Sequence, residues 1–319
     1  MFFKILMKWM IMLTIIISIS SNSWFIFWIM MEMNMMMFIP ILKQNKMQNC
    51  NSMISYYIIQ SFSSIMFFMG SSMMMMNYLI INETLINMSL MVKLAMIPFH
   101  SWLTSISETM DYNSFMIILT FQKVIPLFIL NKMKSGITFW ISILSLILSS
   151  IMIYNLKLFK KIMIFSSISH LSWMIIIMFS SSSFWLLYMI IYSLMIFSIC
   201  KIFKKFNINS IYDLMKSKIT NNDKTSIIIL MMSLGGIPPF IGFLIKFLAL
   251  IIIIKYSIMS IIILILSSLI NIFIYLRMIT PVLLLYKNSN YNLNFYKVYN
   301  NLFLSMVITM TFIMINTIT

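Results

Sequence analysis

The chain is poor in the residues on which a water-soluble protein depends. Only 9% of its 319 residues are charged, and six of them are acidic, whereas charged residues make up about a quarter of a soluble domain. Hydrophobic residues reach 62%, and the mean hydropathy is +1.02. No soluble core absorbs that much apolar surface, so the surrounding solvent is a lipid bilayer. The composition excludes a soluble enzyme or a soluble binding domain.

Other scarce residues exclude further classes of protein. The two cysteines, Cys50 and Cys200, lie far apart without metal-ligand spacing, so we predict that they are unpaired and hold no metal. Alanine occurs twice and arginine once, while methionine occurs 38 times. This pattern indicates the codon bias of an organelle genome rather than a Met-rich adaptable interior. The net charge of +16 comes from residues that flank apolar stretches, which excludes a nucleic-acid-binding face.

Most of the sequence consists of long apolar stretches. Each has roughly the 20 residues that a helix needs to cross a bilayer. The first lacks a small-residue cleavage site, so we interpret it as a retained helix and not a signal peptide. We therefore predict an all-α, polytopic transmembrane bundle, a single membrane domain over residues 1–319. Its eleven spans fall near 3–21, 24–42, 52–76, 86–106, 114–131, 136–155, 161–180, 183–203, 226–252, 257–285 and 300–318.

The basic residues predict how these spans are oriented. Sixteen of the 22 lysine and arginine residues fall on the side of the N-terminus, and three (Lys132, Lys134 and Lys255) fall on the other side. Positive charge collects on the cytoplasmic side of membrane proteins, or its matrix equivalent. We expect the N-terminus on the matrix or cytoplasmic side and the C-terminus on the opposite side.

Four ionisable residues lie inside predicted spans: Glu32, Lys93, Lys123 and Lys246. A charged side chain at the centre of a membrane helix costs roughly 2.5–3.5 kcal/mol on insertion scales. Pairing, water or both must therefore compensate on the order of 10 kcal/mol in total. Two structural alternatives stay open. The lysine side chains could extend to the membrane surface (snorkelling), or Glu32 and a lysine could form an ion pair that only stabilises the fold.

Helix breakers accompany two of these lysines. Pro98 follows Lys93 in "KLAMIPFHSW", and a second cluster of breakers precedes Lys246 in "SLGGIPPFIGFLIKF". Irregular backbone survives at membrane depth only against protein or a water-filled cavity. The similarity of "MIPFH" to "GIPPF" predicts two repeats with discontinuous helices in matching positions, over residues 3–131 and 136–285, before a C-terminal helix at 300–318. The second cluster consists of Gly235, Gly236, Pro238 and Pro239.

These breaks predict that water and polar groups reach the middle of the membrane, where the lysines bind and release protons. His100 follows the first break and is a possible relay, although a hydrogen-bonding role at the membrane surface is an equal alternative. His170 lies in "FSSISHLSWM" beside Ser166, Ser167 and Ser169, which either line a wet path or bond back to helix carbonyls.

Five stretches together resemble the antiporter-like membrane subunits of mitochondrial respiratory complex I, the NADH:ubiquinone oxidoreductase, and among them subunit 2. They are "WIMMEMNMMMFIP", "KLAMIPFHSW", "FQKVIPL", "KKIMIFSSISHLSWM" and "LGGIPPFIGFLIKF", over residues 24 to 248. The resemblance implies two inverted five-helix repeats. It also implies that Glu32 pairs with Lys93, that Lys123 is a bridging lysine, and that Lys246 serves the second broken helix.

The resemblance has wider implications. It implies proton translocation across the mitochondrial inner membrane, coupled to electron transfer from NADH to ubiquinone. NADH, FMN, iron–sulfur clusters and ubiquinone would bind to other subunits, and this chain would carry no cofactor and no redox site. Its partners would be other membrane-arm subunits and phospholipids, including cardiolipin. A subunit of a sodium/proton antiporter assembly, or a non-pumping spacer, are the alternatives.

Two departures from the family pattern are visible. Ile245 stands where the family usually has a proline before the second lysine, and Thr104 and Ser105 stand where it often has a proline–acid pair. Glu108 and Asp111 are uncertain substitutes for that acid. The first departure puts the local backbone geometry at Lys246 in doubt. The second puts in doubt whether the loop after the first break supplies a carboxylate.

Overall fold

The computed structural model describes residues 2–43, 48–74, 79–180, 183–216, 221–238 and 240–288. Over these ranges the chain forms α-helices, and its one β feature there is a bridge between Leu158 and Ser210. The predicted all-α fold is confirmed. The helices are α1 (Phe2–Ser20), α2 (Trp24–Leu42), α3 (Gln48–Met74), α4 (Leu79–Leu94), α5 (Ser101–Thr109), α6 (Tyr112–Leu119), α7 (Phe121–Lys132), α8 (Gly136–Ile153), α9 (Phe159–Phe179), α10 (Phe184–Phe206), α11 (Ile211–Lys216), α12 (Asn221–Gly235), α13 (Ile241–Ile254) and α14 (Ile258–Asn288).

Eight stretches of helix in the described residues are long and apolar enough to cross a membrane. They match eight of the predicted spans. The predicted spans 86–106 and 226–252 are each formed by two shorter helices, α4 with α5 and α12 with α13. The predicted span 300–318 lies outside the described residues. The total of eleven spans and the matrix-side N-terminus stay predictions.

The predicted span 114–131 contains an interruption that the sequence did not indicate. Helix α6 ends at Leu119 and α7 begins at Phe121, because Thr120 between them leaves helical geometry with φ −119° and ψ −81°. The Thr120 hydroxyl donates to the carbonyl oxygen of Met116 at 2.7 Å. A side-chain hydroxyl thus satisfies a carbonyl near the interruption, without a proline or glycine.

The distribution of polarity is that of a membrane protein. Large apolar side chains point outward, as with Met259 at 76% exposed and Trp9 at 69% exposed, while Ser63 and Ser145 are fully buried. Most serine hydroxyls donate to the carbonyl oxygen three residues earlier; Ser18, for example, bonds Ile15 at 2.7 Å. Such bonds let hydroxyls sit inside an apolar bundle without unsatisfied donors.

The chain divides into two compact units, which we describe separately. The first unit contains the described residues of Met1–Leu148 together with Ser167–Phe179. The second contains Ser149–Ser166 and the described residues from 180 onward. Each unit therefore contains one broken helix with its own buried lysine.

Candidate functional site

The first helix break, in the first unit, begins at Ala95. Ala95 is left-handed, with φ 55°. Its N–H donates to the Val92 carbonyl at 3.1 Å, and the Met96 N–H donates to the Met91 carbonyl at 3.1 Å. This pair of bonds is the Schellman ending of a helix. Pro98 follows and lacks an N–H donor, so the predicted break is present but begins three residues before the proline.

A tryptophan of the second half-helix closes this break. The Trp102 Nε1–H donates to the Val92 carbonyl oxygen at 3.2 Å, and its indole ring is 6.0 Å from the Tyr56 ring. The Val92 carbonyl oxygen also accepts the Ala95 N–H, so the indole is its second donor. A carbonyl oxygen has two lone pairs and can accept both bonds.

Glu32 and Lys93 belong to the same buried region. Glu32 lies on α2 and accepts a hydrogen bond from the Ser64 hydroxyl on α3, while Lys93 lies in the last turn of α4. The carboxylate is close enough to act electrostatically on Lys93. No ion pair within 4 Å joins the two residues in the part of the chain that the structure describes. Ser64 is therefore the direct partner of Glu32, and Lys93 interacts with it across a gap.

Lys123 lies in the first turn of α7 and is only 3% exposed. Its Nζ donates to the Ser167 hydroxyl of α9 at 2.8 Å. A buried ammonium group is tolerated only where such polar groups surround it. The burial excludes the alternative in which Lys123 reaches the membrane surface along its stem.

A small polar cavity joins the two lysines of the first unit. It has a volume of about 20 Å³ accessible to the centre of a water molecule, and Lys93 and Lys123 both line it. Four further polar side chains in its wall are Asn34, Tyr56, Gln60 and Gln122. A site needs roughly 10–15 Å³ on this measure and two to four polar partners to hold one water molecule. The cavity meets both conditions.

The second helix break, in the second unit, repeats the backbone geometry of the first. Gly236 is left-handed, with φ 84°. Its N–H donates to the Ser233 carbonyl at 3.1 Å, and the Ile237 N–H donates to the Met232 carbonyl at 3.2 Å. This is again the Schellman pattern. Gly235 ends α12 and Pro238 is exposed in the turn, while the predicted breaker Pro239 lies outside the described residues.

Lys246 closes the second break with its charge. Its Nζ donates to the carbonyl oxygens of Gly235 at 2.7 Å and Leu234 at 3.3 Å, and the side chain is 7% exposed. A positive charge is favourable at a helix C-terminus because the backbone dipoles point their negative ends there. The lysine of α13 therefore binds the last turn of α12.

The departure at Ile245 has a clear structural outcome. Ile245 is a regular residue of α13 and is 3% exposed, so the helix runs unbroken through Lys246 without the family's proline. The two half-helices meet instead at Gly242, where an added Cβ atom would lie 1.6 Å from the Ser233 carbonyl oxygen. Only glycine permits this approach.

The two histidines occupy different surroundings. His100 is the N-cap residue of α5, partly exposed and without a side-chain capping bond. His170 is 4% exposed on α9, one helical turn after Ser167. Of the predicted serines, Ser166 bonds back to the Met163 carbonyl at 3.0 Å. Ser167 contacts a lysine, while Ser169 is buried nearby.

The loop departure after the first break involves only local bonds. The hydroxyls of Thr104 and Ser105 donate to the carbonyls of Ser101 and Trp102, both at 2.9 Å. Glu108 and Asp111 are exposed. Neither acid is therefore buried as Lys93 and Lys123 are.

Sequence reasoning missed several polar residues of the cavity region. Asn34, Gln122 and Ser64 are uncharged polar residues within apolar spans, and Tyr56 and Trp102 are aromatic residues with one polar atom. The amides stand out in "MEMNMM" and "LTFQKVIP" by the argument that identified the lysines. The hydroxyls and ring donors give no such signal, because serine and aromatic residues occur throughout the spans.

Comparison with known proteins identifies the family. Residues 21–272 match the family described as NADH:quinone oxidoreductase/Mrp antiporter, TM. The chain belongs to this family of transmembrane subunits. It is similar to NADH-ubiquinone oxidoreductase chain 2 from Rhipicephalus sanguineus, 45% identical over 98% of this chain and 99% of the relative. The same-named protein from Anopheles gambiae is 35% identical over 73% of this chain and 72% of the relative.

Solved structures agree on the fold. The chain is similar to a chain of respiratory complex I from Thermus thermophilus, with a TM-score of 0.81, 16% identity, and coverage of 88% of this chain and 71% of that one. It is also similar to a chain of the Mrp complex from Dietzia sp., with a TM-score of 0.73, 14% identity, and coverage of 85% and 59%. The predicted resemblance to antiporter-like complex I subunits is confirmed.

Proposed function

We propose that the chain is a core membrane subunit of a proton-translocating NADH:ubiquinone oxidoreductase and moves protons itself. The observation that carries this proposal is the shared cavity of the first unit. Lys93 and Lys123 are both buried, and both line one space large enough for a water molecule. Buried basic groups at membrane depth are costly and mark proton paths.

The cavity supports a defined proton-transfer step. With Lys93 as an ammonium group and Lys123 as a neutral amine, a water molecule between them takes a proton from the Lys93 Nζ. It gives one of its own protons to the Lys123 Nζ and is itself unchanged. A carboxylate near an ammonium group favours the charged form of that group. A change in the distance between Glu32 and Lys93 would therefore start or reverse the transfer.

Further residues extend this path within each unit. In the first unit, the bond from Lys123 to the Ser167 hydroxyl leads to α9, where His170 follows one turn later. In the second unit, Lys246 holds a proton between two carbonyl oxygens at the end of α12. We assign Glu32, Lys93, Lys123 and Lys246 to the proton path, and His100 and His170 to relays.

We propose that this subunit works in the mitochondrial inner membrane and contains no redox centre. Electron transfer from NADH through FMN and iron–sulfur clusters to ubiquinone would take place on other subunits. The neighbours would be other membrane-arm subunits and phospholipids, including cardiolipin. Exposed apolar side chains such as Trp140 and Ile258 would contact these subunits and lipid tails. The exposed lysines Lys201 and Lys204 at the end of α10 would bind anionic lipid headgroups.

Replacement of the buried lysines tests this function. Lys93→Met and Lys123→Met remove the proton-binding group at similar volume, and a positioned proton-transfer group contributes roughly 10²- to 10⁴-fold to rate. Transport through this subunit should fall by at least about 100-fold, and the protons moved per electron pair should decrease in proteoliposomes. Lys134→Met removes an exposed lysine of the same unit and should leave the proton number unchanged.

Two other outcomes would point to other functions. Assembled Lys93→Met and Lys123→Met complexes that pump the normal number of protons would show that the charges only hold helices together, as in a spacer. The similarity to the Mrp complex makes a sodium/proton antiporter subunit the second candidate. Transport that depends on sodium and not on quinone turnover would establish that candidate and refute ours.

A further inference from the structure

Three polar side chains of the first unit form an ordered chain beside the buried lysines. The Tyr56 hydroxyl donates to Gln122 Oε1 at 3.4 Å, and Gln122 Nε2 donates to Asn34 Oδ1 at 2.9 Å. Asn34 lies on α2, Tyr56 on α3 and Gln122 on α7. A side-chain amide cannot rotate freely when its oxygen and its nitrogen each have a partner on a different helix.

The same three residues form part of the wall of the water-sized cavity that Lys93 and Lys123 share. An amide has two N–H donors and two acceptor lone pairs. Gln122 uses one of each in the chain, so one donor and one lone pair stay available to a water molecule. Asn34 and Tyr56 are 3% and 2% exposed, so bulk solvent does not replace them as partners.

Gln122 can also bind water without adding a charge to the cavity. The cavity already contains two basic side chains, and a third charge there would favour one protonation state over the other. A neutral amide binds water through both donor and acceptor without changing that balance. An apolar side chain of the same size would remove that donor and acceptor, and would also leave Asn34 and Tyr56 without their shared partner.

We propose that Gln122 is a positioning residue that holds and orients the water molecule through which protons pass between Lys93 and Lys123. Asn34 and Tyr56 fix the Gln122 amide in place. The inference rests on the proposed function of the lysines. In the step itself the water accepts a proton from one Nζ and donates another to the second Nζ, and Gln122 neither gains nor loses a proton.

A matched pair of substitutions tests the role of Gln122. Gln122→Leu and Gln122→Asn introduce side chains of nearly equal shape, of which only asparagine can bind water. A misplacement of about 1 Å costs a reaction up to roughly 100-fold, so Gln122→Leu should pump about 10- to 100-fold more slowly through this step. Gln122→Asn, whose amide is one methylene group shorter, should recover part of that loss. The measurement is the initial pumping rate of the whole complex in proteoliposomes, in H₂O and in D₂O.

The solvent isotope effect separates positioning from folding. If proton transfer through the cavity becomes slow, the ratio of the rates in H₂O and D₂O should rise in Gln122→Leu and return towards the original value in Gln122→Asn. A packing defect would lower the yield of complex and leave the ratio unchanged, which would overturn the inference. If Gln122→Leu does not assemble, Tyr56→Phe removes only one hydroxyl and should raise the ratio by a smaller amount; an unchanged ratio would refute the proposal.

Lys123→Met, measured beside these variants, distinguishes the two proposals. A defect in Lys123→Met with normal pumping and a normal isotope ratio in Gln122→Leu would refute the role of Gln122 alone. Normal pumping in Lys123→Met would refute the proposed function itself.

Discussion

The two helix breaks share one backbone design and differ in the group that closes it. Each first half-helix ends in a Schellman motif with a left-handed residue, Ala95 in one and Gly236 in the other. A side chain of the second half-helix then reaches back to carbonyl groups in the last turn of the first. That side chain is the neutral indole of Trp102 in the first unit and the ammonium of Lys246 in the second.

The two breaks also differ in the hydrogen bonds that their lysine side chains make. In the first unit, the indole is a second donor to the Val92 carbonyl, and Lys93 lines the cavity that it shares with Lys123. In the second unit, the lysine itself is the donor, and its proton is held by two carbonyl oxygens. The same backbone ending therefore supports one lysine suited to exchange and one lysine fixed by a helix end.

The left-handed residues differ for the same reason. A left-handed conformation costs an L-residue roughly 1–2 kcal/mol, and the first break tolerates that cost at Ala95. At Gly236, a Cβ atom would lie 2.9 Å from both Cδ and Nζ of Lys246, so a larger residue would have to shift the end of the lysine. Glycine at this position therefore leaves room for the lysine beside the end of α12.

The largest expected effect is that of Gly242→Ala, which should destroy the second break alone. The new methyl group would fall 1.6 Å from the Ser233 carbonyl oxygen, so the backbones of α12 and α13 must separate. Overpacking typically costs about 1–3 kcal/mol and sometimes more, and here the obstacle is backbone. We expect little or no assembled complex on a native gel.

Gly136→Ala is the control for this loss, because a Cβ atom at Gly136 meets nothing within 4 Å. Its assembly should be normal. Gly242 lies six residues after Gly236. The corresponding residue of the first break, six after Ala95, is the exposed Ser101, so the first break has no glycine at this position. Normal assembly of Gly242→Ala would show that the half-helices of the second break need not touch.

The next effect concerns Lys246→Met, compared with Lys93→Met. Loss of Lys246 leaves the carbonyls of Leu234 and Gly235 without their donor, and a buried unsatisfied group costs about 1–3 kcal/mol. Loss of Lys93 leaves the indole bond of the first break intact. Hydrogen exchange of the assembled complex, followed by mass spectrometry, should therefore accelerate at residues 232–237 in Lys246→Met.

The corresponding peptide of the first break, residues 91–96, should exchange at its original rate in Lys93→Met. If both lysine variants loosen their own breaks equally, the lysines have equivalent structural roles and the comparison fails. Lys255→Met, which removes an exposed lysine from the end of α13, controls for the change in charge.

The sequence predicted the parts of this arrangement that are expensive in a membrane. Glu32 and the three lysines stood out because charge inside an apolar span needs an explanation, and Pro98 and Gly236 because they stop helices. It did not predict the closing bonds, because Trp102 and Lys246 reach carbonyls 10 to 12 residues away through the turn of the break. Nor did it predict the interruption at Thr120, which has no proline or glycine signal.

The smallest expected effect is that of Trp102→Phe. This change removes the closing donor of the first break, as Lys246→Met removes that of the second. Phenylalanine preserves most of the buried ring, which lies 6.0 Å from Tyr56, and loses only the N–H bond to the Val92 carbonyl. One such bond contributes about 0.5–1.5 kcal/mol. Hydrogen exchange at residues 91–96 should accelerate modestly, and less than residues 232–237 do in Lys246→Met.

Trp140→Phe provides the control, because Trp140 is 66% exposed and its replacement should leave both breaks unchanged. An unchanged exchange rate in Trp102→Phe would show that the Val92 carbonyl does not need the indole. The first break would then be held by its Schellman bonds alone, and only the second would depend on a reaching side chain. A modest acceleration would instead show that each break is closed by one long-range donor. That donor is neutral where Lys93 lines the cavity and charged where Lys246 is itself the donor.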